Sequence, residues 1–474
     1  MSGRSSLEVR CQNMAETSPG KTAVRAVGCP GTRHGHGSRR LAKALVAIAI
    51  SLLLSPAAFA QATSNPALPV TASTFTEDLN DPENLLKRRE QRSKQRKGLF
   101  QVDPFGGFRE WTTKLSDDLY DKTDFRLGTA IHHAFQWVDP TITDTPGYGT
   151  ATDFDIIGDW KLFKKGQPHE VKLFFNIEGR WDYGTTGPQT LGFASAGTSG
   201  GTANTFGAYT PTFLPFRQFY LQQGSKESKW GYRLGKVTVD GFLTSSRHIN
   251  PNTTFLPNAG TGMFVNAPPD SGLGIIGQYT FTESWSSAAL ISDANADRQD
   301  LGDITAGDFY KAAELRWRKH KGVARDAGAK LTVWHTDGTK DGQPANANTG
   351  NSGYGYSVLY ETALADNGRP WIVARYGRSF DGASIYDAQA GLHFLLYQPA
   401  GKLRFETDLL GAAINWVDSA TPGARNEYNF EVFYRFPIFP KLDLTASYQH
   451  IKDPAVTREF DHVNAYSIRL VTDF

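Results

Sequence analysis

The sequence predicts an all-β protein: a sixteen-stranded antiparallel transmembrane β-barrel with a short N-terminal amphipathic helix. Three observations predict this fold. Apolar residues recur with a period of two from Asp124 onward. The segments between these runs alternate between short and long. After residue 60 no apolar run reaches the roughly 18 residues of a membrane helix, so a chain that enters a bilayer must satisfy its backbone polar groups within a closed barrel.

Composition agrees with an all-β fold. The 474 residues include 47 Gly, 30 Phe, 18 Tyr and 10 Trp but only 3 Met. Aromatic residues favour strands, and glycine favours the turns between them. The net charge of +2 gives no sign of a nucleic-acid partner, and none is expected.

The first 60 residues read as a secretory signal peptide with a long basic leader. Arg39, Arg40 and Lys43 precede an apolar core, and Ala58-Phe59-Ala60 has the small-x-small pattern of a cleavage site. A single membrane anchor is the alternative, but about 11 apolar residues are too few to span a bilayer. Both cysteines precede residue 60, and removal of this segment leaves 42 basic and 46 acidic residues. The sequence leaves open whether Met1 or Met14 is the start.

Two segments separate the signal peptide from the barrel. Residues 61–100 form a polar lead-in that is charged and is expected to be a disordered, solvated linker or to be partly helical. Residues 101–123 carry apolar side chains at spacings of three and four (Phe108, Trp111, Leu115 and Leu119), which predicts a short periplasmic or lumenal amphipathic helix.

The barrel itself is predicted over residues 124–474. In one representative run, residues 169–184, Leu173, Phe175 and Ile177 alternate with Asn176 and Glu178. Such a strand fits a soluble sandwich equally well. The count and the spacing of the strands decide in favour of the barrel. The predicted strands are 124–138, 150–163, 169–183, 214–223, 229–240, 272–282, 284–293, 308–319, 328–337, 353–363, 369–380, 386–397, 401–416, 426–437, 440–450 and 464–474.

Loop lengths are sorted as in outer-membrane barrels. Even-numbered connections are mostly short, and the longest odd-numbered ones are 184–213 and 241–271. The last predicted strand must close against the first. Within it, Ser467, Arg469 and Asp473 are expected to face the interior. The terminal aromatic Phe474 is expected to lie at the interfacial girdle and to be the signal that the barrel-assembly machinery reads.

A barrel of sixteen strands is too wide for its side chains to fill, so an aqueous channel is expected. Charges of both signs occupy the predicted interior faces, whereas ion channels favour rings of one sign. The mixture suits a neutral, hydroxyl-rich solute such as a sugar, which accepts hydrogen bonds from arginine and donates them to carboxylates. The candidates for lining the pore or contacting sugar are Lys172, Asn176, Glu178, Arg180, Arg233, Glu314, Arg316, Arg318, Arg404, Glu406, Asp408, Glu431 and Arg435. A structural role in an interior ion pair is an equal alternative for each arginine.

The long loop from Ser245 to Gly272 is the candidate constriction. It carries little charge, and its apolar side chains would be sequestered more easily inside the barrel than on the surface. An ordinary surface loop is the alternative. The candidate constriction residues are Asn250, Asn252, Phe255, Asn258 and Phe264.

Several short motifs between about residue 100 and residue 474 resemble the carbohydrate-selective porin family, the OprB-type glucose porins. Gly106-Gly107-Phe108-Arg109 resembles the Gly-Gly-x-Arg of that family's opening, although Phe105 stands where the family usually has Trp. The resemblance implies a sixteen-stranded barrel that passes glucose and other sugars by diffusion through an Arg- and Glu-lined constriction. The other similar stretches are Tyr232–Leu243, Leu290–Asp297, Tyr448–Pro454 and Ile468–Phe474.

The predicted function is therefore a sugar-preferring diffusion porin in the outer membrane of a Gram-negative bacterium, in contact with outer-membrane lipid. A general or anion-preferring pore is the alternative. An outer-membrane lipase is a third hypothesis, but it needs a nucleophile with a base oriented beside it. His132 and His133 alternate in direction and cannot reach one site, and Ser246 with His248 is the other hint of a nucleophile. No enzymatic activity, catalytic residue, cofactor or metal is expected, and a homo-oligomer is possible.

Overall fold

The computed structural model describes residues 75–78, 80–93, 97–184, 186–204, 206, 215–224, 228–296, 298–319, 327–344, 346–365, 368–399, 405 and 407–474. The predicted signal peptide and the candidates Arg404 and Glu406 lie outside these residues.

The described residues form a closed antiparallel β-barrel of sixteen strands in sequential order, which confirms the predicted fold class. Every strand pairs with its two neighbours in sequence, and β16 closes on β1. The strands are β1 (Phe125–Asp139), β2 (Tyr148–Phe163), β3 (Val171–Tyr183), β4 (Phe216–Gln223), β5 (Trp230–Val237), β6 (Gly272–Thr280), β7 (Trp285–Asp293), β8 (Phe309–Arg318), β9 (Gly328–Thr336), β10 (Gly353–Ala363), β11 (Pro370–Phe380), β12 (Tyr386–Tyr397), β13 (Leu409–Ser419), β14 (Glu427–Phe439), β15 (Leu442–Lys452) and β16 (His462–Asp473).

Two longer helices precede the barrel: α1 (Pro82–Ser93) and α2 (Gly106–Thr123). Short helical turns interrupt the loops at Pro188–Thr190, Leu191–Ser195, Asn258–Thr261, Phe264–Asn266, Ile304–Ala306 and Lys340–Gly342. Among the described residues, no helix has both the length and the apolar character needed to span a bilayer.

The alternation read from the sequence is visible along the strands. On β3, Phe174, Asn176 and Glu178 are buried, whereas Leu173 and Phe175 on the opposite face are partly exposed. On β16, Ser467, Arg469 and Asp473 are buried inside, as predicted. The outer surface carries large exposed apolar residues on many strands, such as Leu331 and Val333 on β9. A bilayer can cover this face, and water or polar chain segments must cover the other.

The two mouths of the barrel differ. The connections 140–147, 184–215, 238–271 and the later odd-numbered links meet at one mouth, which we call the long-loop end. The other mouth, the short-turn end, has mostly tight links such as 281–284 and 440–441. Strand β1 begins and strand β16 finishes at the short-turn end, because the strand number is even.

The predicted thirteenth strand, 401–416, is wrong in its first residue and in which of its side chains face inward. The observed β13 begins at Leu409, and the described residues just before it belong to the β12–β13 connection. In a strand that starts at 401, Leu409 would alternate with the inward candidate Asp408 and face lipid, but it is 1% exposed and packs in an inward apolar cluster with Phe255 and Phe433. A loop interrupts the period of two, so the alternation cannot be carried across it.

Helix α2 occupies the predicted helical segment and packs beside the β1–β16 seam at the short-turn end. The Arg109 side chain donates a 3.1 Å hydrogen bond to Thr472 Oγ1 and another to the backbone carbonyl of Asp473. Its guanidinium also stacks on the Phe474 ring, 4.6 Å from the centroid. Phe108 and Trp111 remain at least half exposed, so the helix keeps an apolar face outward.

We predict that Leu331→Arg, near the middle of β9, destabilises the barrel by roughly 2–4 kcal/mol because it places a charge on the lipid face. The matched control is Val456→Arg, since Val456 is 60% exposed in the long loop before β16. Denaturant unfolding in lipid vesicles measures both variants. Equal stability of the two variants would contradict the assignment of the outer face.

Candidate functional site

The loop between β5 and β6, residues 238–271, folds into the barrel and crosses its lumen. Phe255 is fully buried, and Met263 and Phe264 are 6% and 5% exposed. Its backbone and side chains contact strands from β1 and β2 to β16 on the inner wall. The structure thus places this candidate constriction loop inside the barrel, where its apolar residues pack with inward residues such as Trp371 and Val373.

Inward-facing polar side chains hold the loop by its backbone. Arg469 donates to the carbonyls of Pro251 and Thr254, and Arg435 donates to the carbonyl of Thr253 at 2.9 Å. Glu431 accepts the backbone N–H of Leu256. On the other side of the barrel, Arg375, Gln389 and His393 bind carbonyls of residues 259–262. A loop inside a barrel must satisfy its own peptide groups, and these side chains do so.

The asparagines of the loop organise its turn. Asn250 Oδ1 accepts the backbone N–H groups of Asn252 and Thr253, both at 3.0 Å, which is an Asx-type turn. The Asn252 side chain then donates to Asp153 Oδ2 on β2 at 3.1 Å. Asn258 starts the helical turn Asn258–Thr261 and is buried. All five candidate constriction residues therefore lie in the lumen.

A cluster of arginines and carboxylates lines the wall at β2, β3 and β4. Glu178 Oε1 accepts from Arg180 at 2.8 Å and from Arg217 at 2.6 Å. Arg298, from the β7–β8 loop, lies 3.8 Å from the other Glu178 oxygen and 3.4 Å from Asp270. Beside this cluster, Asn176 Nδ2 donates a 2.9 Å hydrogen bond to Asp155 Oδ1. Three guanidiniums thus converge on one carboxylate, and the Arg298 side chain is 21% exposed.

A second group of candidates lies at β8 to β10. Arg316 Nε donates to Glu314 at 2.6 Å, and Glu314 accepts the backbone N–H of Thr244, at the start of the loop, at 2.6 Å. Arg318 lies 3.4 Å from Glu361 on β10. These charges fasten the beginning of the crossing loop to the wall.

The remaining candidates are separate from both groups. Lys172 pairs with Glu170 at 2.9 Å near the short-turn end. Asp408 precedes β13 and accepts a hydrogen bond from the Tyr434 hydroxyl at 3.3 Å. Arg233 pairs with Asp81, which belongs to the lead-in, at 2.6 Å.

The described part of the lead-in also enters the barrel, in contrast to the solvated linker that the sequence predicts. Its residues 75–78 and 80–93 lie against the inner wall, and α1 packs Leu85 and Leu86 on Ile157 of β2. Glu77 pairs with Lys330 at 2.9 Å and with Arg318. Burial alone favours neutral Glu77, but these cations outweigh it and hold the pKa of this carboxyl well below its usual range. Its charge is therefore fully developed at neutral pH.

Sequence reasoning missed several of the charges in the lumen. Asp153, Asp155 and Lys330 follow the period of two on β2 and β9, so the strand pattern was sufficient to find them. Arg217 is different. The β3–β4 register shifts between Asn176 and Ile177, and this bulge leaves Arg217 and Gln218 both buried, at 8% and 4% exposure. Such a bulge has no clear signal in the local sequence.

The histidines and the serine that were considered for a nucleophilic site make structural hydrogen bonds. His132 is fully buried inside, whereas His133 faces outward and pairs with Thr152, so the two rings do occupy opposite faces. His132, Asp153 and Asp155 have ligand atoms within 4.8 Å of one another. However, Arg88 lies 2.9 Å from one ring nitrogen and Asn252 lies 3.3 Å from the other. Ser246 donates to Glu361 at 2.6 Å.

Solved structures with a similar fold are porins. The chain is similar to Pseudomonas putida OprB in its high-pH structure, with 15% sequence identity and a TM-score of 0.61 over 80% of this chain and 99% of that chain. The low-pH structure of the same protein gives 13% identity and a TM-score of 0.48 over the same shares. A mutant of the Rh. blastica porin gives 13% identity and a TM-score of 0.41 over 74% and 100% of the two chains. No protein-family model and no curated protein sequence matches the chain.

We predict that Arg469→Ala loosens the crossing loop and costs roughly 1–3 kcal/mol, because it leaves the Pro251 and Thr254 carbonyls without their donors. Thermal unfolding and limited proteolysis of residues 245–271 measure the two effects. Arg469→Lys should lower the free energy of unfolding less than Arg469→Ala does. Arg378→Ala, which removes an exposed arginine from the outer face, should lower it little. A protease-resistant, fully stable Arg469→Ala protein would contradict this anchoring role.

Proposed function

We propose that the protein is an outer-membrane porin of a Gram-negative bacterium that passes small sugars such as glucose by passive diffusion. The observation that carries the proposal is the closed sixteen-stranded barrel with an apolar outside and a charge-lined lumen crossed by an inward loop. A wall of this kind suits a solute path across lipid. Diffusion needs no catalytic group, cofactor or metal.

The charges of the lumen favour a neutral polar solute over an ion. The arginines around Glu178 lie 2.6–3.8 Å from three carboxylates, those of Glu178, Asp153 and Asp270, so neither sign dominates the wall there. Arginine forks donate to sugar hydroxyls, and carboxylates accept from them. Each contact is individually weak in water, and weak binding is what permits passage.

Two further points support the proposal. The short motifs of this chain resemble those of the carbohydrate-selective porins, and the overall fold is similar to that of Pseudomonas putida OprB. The predicted signal peptide over residues 1–60 is consistent with export.

One observation favours the alternative, a pore that prefers anions. Arg180, Arg217 and Arg298 converge within one cluster, and Arg298 is the most exposed of the three side chains. An anion entering from the long-loop end would meet this cluster. Reversal potentials in a salt gradient distinguish this pore from a sugar-preferring one.

We predict that glucose and maltose block the open-channel current in planar bilayers with saturable concentration dependence. Arg298→Ala should weaken this block roughly tenfold or more, because a charged hydrogen bond to the solute contributes on the order of 1.5–3 kcal/mol. Arg180→Ala should weaken it less, because the Arg180 side chain is only 3% exposed. Arg378→Ala, with the same loss of charge outside the barrel, is the matched control. Open-channel currents that no sugar reduces, together with strong anion selectivity, would refute the sugar proposal.

A further inference from the structure

The part of the lead-in that the structure describes, residues 75–78 and 80–93, crosses the lumen, and we call it the lumenal segment. Its partners Arg318 and Asp473 are the last residues of β8 and β16. Arg233, another partner, lies near the start of β5. All three positions belong to the short-turn half of the barrel. The segment therefore spans the inner wall from β8 to β16 on the short-turn side of the crossing loop.

Ion pairs fasten the segment at three places. Glu77 pairs with Arg318 and Lys330 at one end, Asp81 pairs with Arg233 at 2.6 Å in the middle, and Arg88 pairs with Asp473 at 2.8 Å on α1. The side chains of the last two pairs are at most 7% exposed. Removing one partner of a buried pair leaves an uncompensated charge, so these contacts fix the position of the segment.

The inner wall is shaped to receive the segment. A Cβ at Gly128 on β1 would lie 2.9 Å from the Arg89 Cδ atom, and one at Gly231 on β5 would lie 2.7 Å from the Phe75 ring. Both glycines are on the inward face of their strands, where a side chain would collide with the segment. Phe75 itself is fully buried, and the Arg233 guanidinium lies 4.8 Å from the centre of its ring. The segment and the wall thus fit each other side chain by side chain.

The segment and the loop together close off the inner wall from water. Inward residues that an open channel would wet are almost inaccessible: Asp153 is 1% exposed, Arg233 3% and Glu361 0%. Leu85, on α1, is 1% exposed in the middle of a lumen that should be aqueous. A solute cannot follow this wall while the segment occupies it.

We infer that the lumenal segment is an intramolecular plug, and that solute passes only when this segment leaves the lumen. The inference rests on the proposed function in so far as a pore must exist to be plugged. Most of the contacts that hold the plug are polar, and water entering the lumen can replace them. Beyond the plug, the N–H groups of Leu99 and Phe100 bind the carbonyls of Pro437 and Ile438 at 2.9 Å, which keeps a released plug at the short-turn mouth.

A reversible cross-link tests the plug in the full-length chain. A Cβ at Gly241, in the crossing loop, would lie 3.5 Å from the Asp78 Cβ atom, which is within the range of a disulfide. Burial raises the pKa of Asp78 to about 7, so Asp78→Cys removes a poorly solvated carboxyl and leaves the three ion-pair anchors intact. Gly241→Cys completes the pair in a background with Cys11→Ser and Cys29→Ser.

We expect oxidation of the Asp78→Cys/Gly241→Cys protein to lower bilayer conductance several-fold and reduction to restore it. The matched control is Asp103→Cys/Gly106→Cys, whose Cβ atoms would be 3.8 Å apart at the start of α2, away from the plug. The control should form its disulfide without any change in conductance. Conductance that does not depend on the oxidation state of the Asp78→Cys/Gly241→Cys protein would overturn the inference.

Two variants open the plug by other means. Deletion of residues 75–93 should raise conductance several-fold, and Gly128→Val should do so more weakly, by displacing Arg89 and Leu86. If both variants conduct like the unaltered protein, the plug is refuted while any sugar block remains valid. If the deletion variant conducts more but no sugar blocks it, the plug stands and the sugar proposal fails. The redox pair decides the question if the deletion variant does not fold.

Discussion

The structure depends on the pairing of β16 with β1. In hydrocarbon, each unpaired backbone N–H or C=O group costs several kcal/mol, so a sheet with free edges is not stable there. The register from Ala130↔Asp473 to Asp139↔Asn464 removes both edges. Beyond β16 proper, the Phe474 backbone exchanges two hydrogen bonds with Thr129, at 2.8 and 2.9 Å. Helix α2 then covers this corner through Arg109, which binds the end of β16 on three groups.

Closure creates a second problem, which is the filling of the interior. Sixteen strands enclose more space than their own side chains occupy, and this chain fills much of it with two of its own segments. Both segments bring peptide groups that belong to no β-ladder into a confined space. Long side chains of the inner wall donate hydrogen bonds to these peptide groups. The guanidinium of Arg469 or Arg375 can reach carbonyls on a loop that does not belong to the sheet. Several interior arginines therefore have structural roles.

The same charges are also what a solute would contact. The division between the two roles follows exposure. Arg469 and Arg233 are buried against the loop and the lead-in, whereas Arg298 keeps contact with solvent while pairing with Glu178 and Asp270. Under the proposed plug, only such uncovered side chains can meet a solute while the lead-in is in place, and those beneath it, such as Arg233, become accessible when it leaves. The selectivity of the proposed pore is then a property of the loop and of the lead-in as much as of the barrel wall.

The local sequence was sufficient to predict the strands and, for most of them, to predict which side chains face the interior. A period of two assigns Glu178 and Arg180 to the interior and Phe175 to the lipid side without any knowledge of partners, because adjacent side chains on a strand must point in opposite directions. It failed where the period was broken, at the bulge beside Arg217 and at the start of β13.

The sequence alone therefore determined the barrel, its strand count and the polar character of its interior. Only the tertiary structure decided where the lead-in and the long loop lie. The contacts that place them, such as Arg88 with Asp473 and Asn252 with Asp153, join residues separated by 385 and 99 positions. No periodicity within a short window encodes such pairs, since they form only after closure of the barrel has brought the opposite walls together.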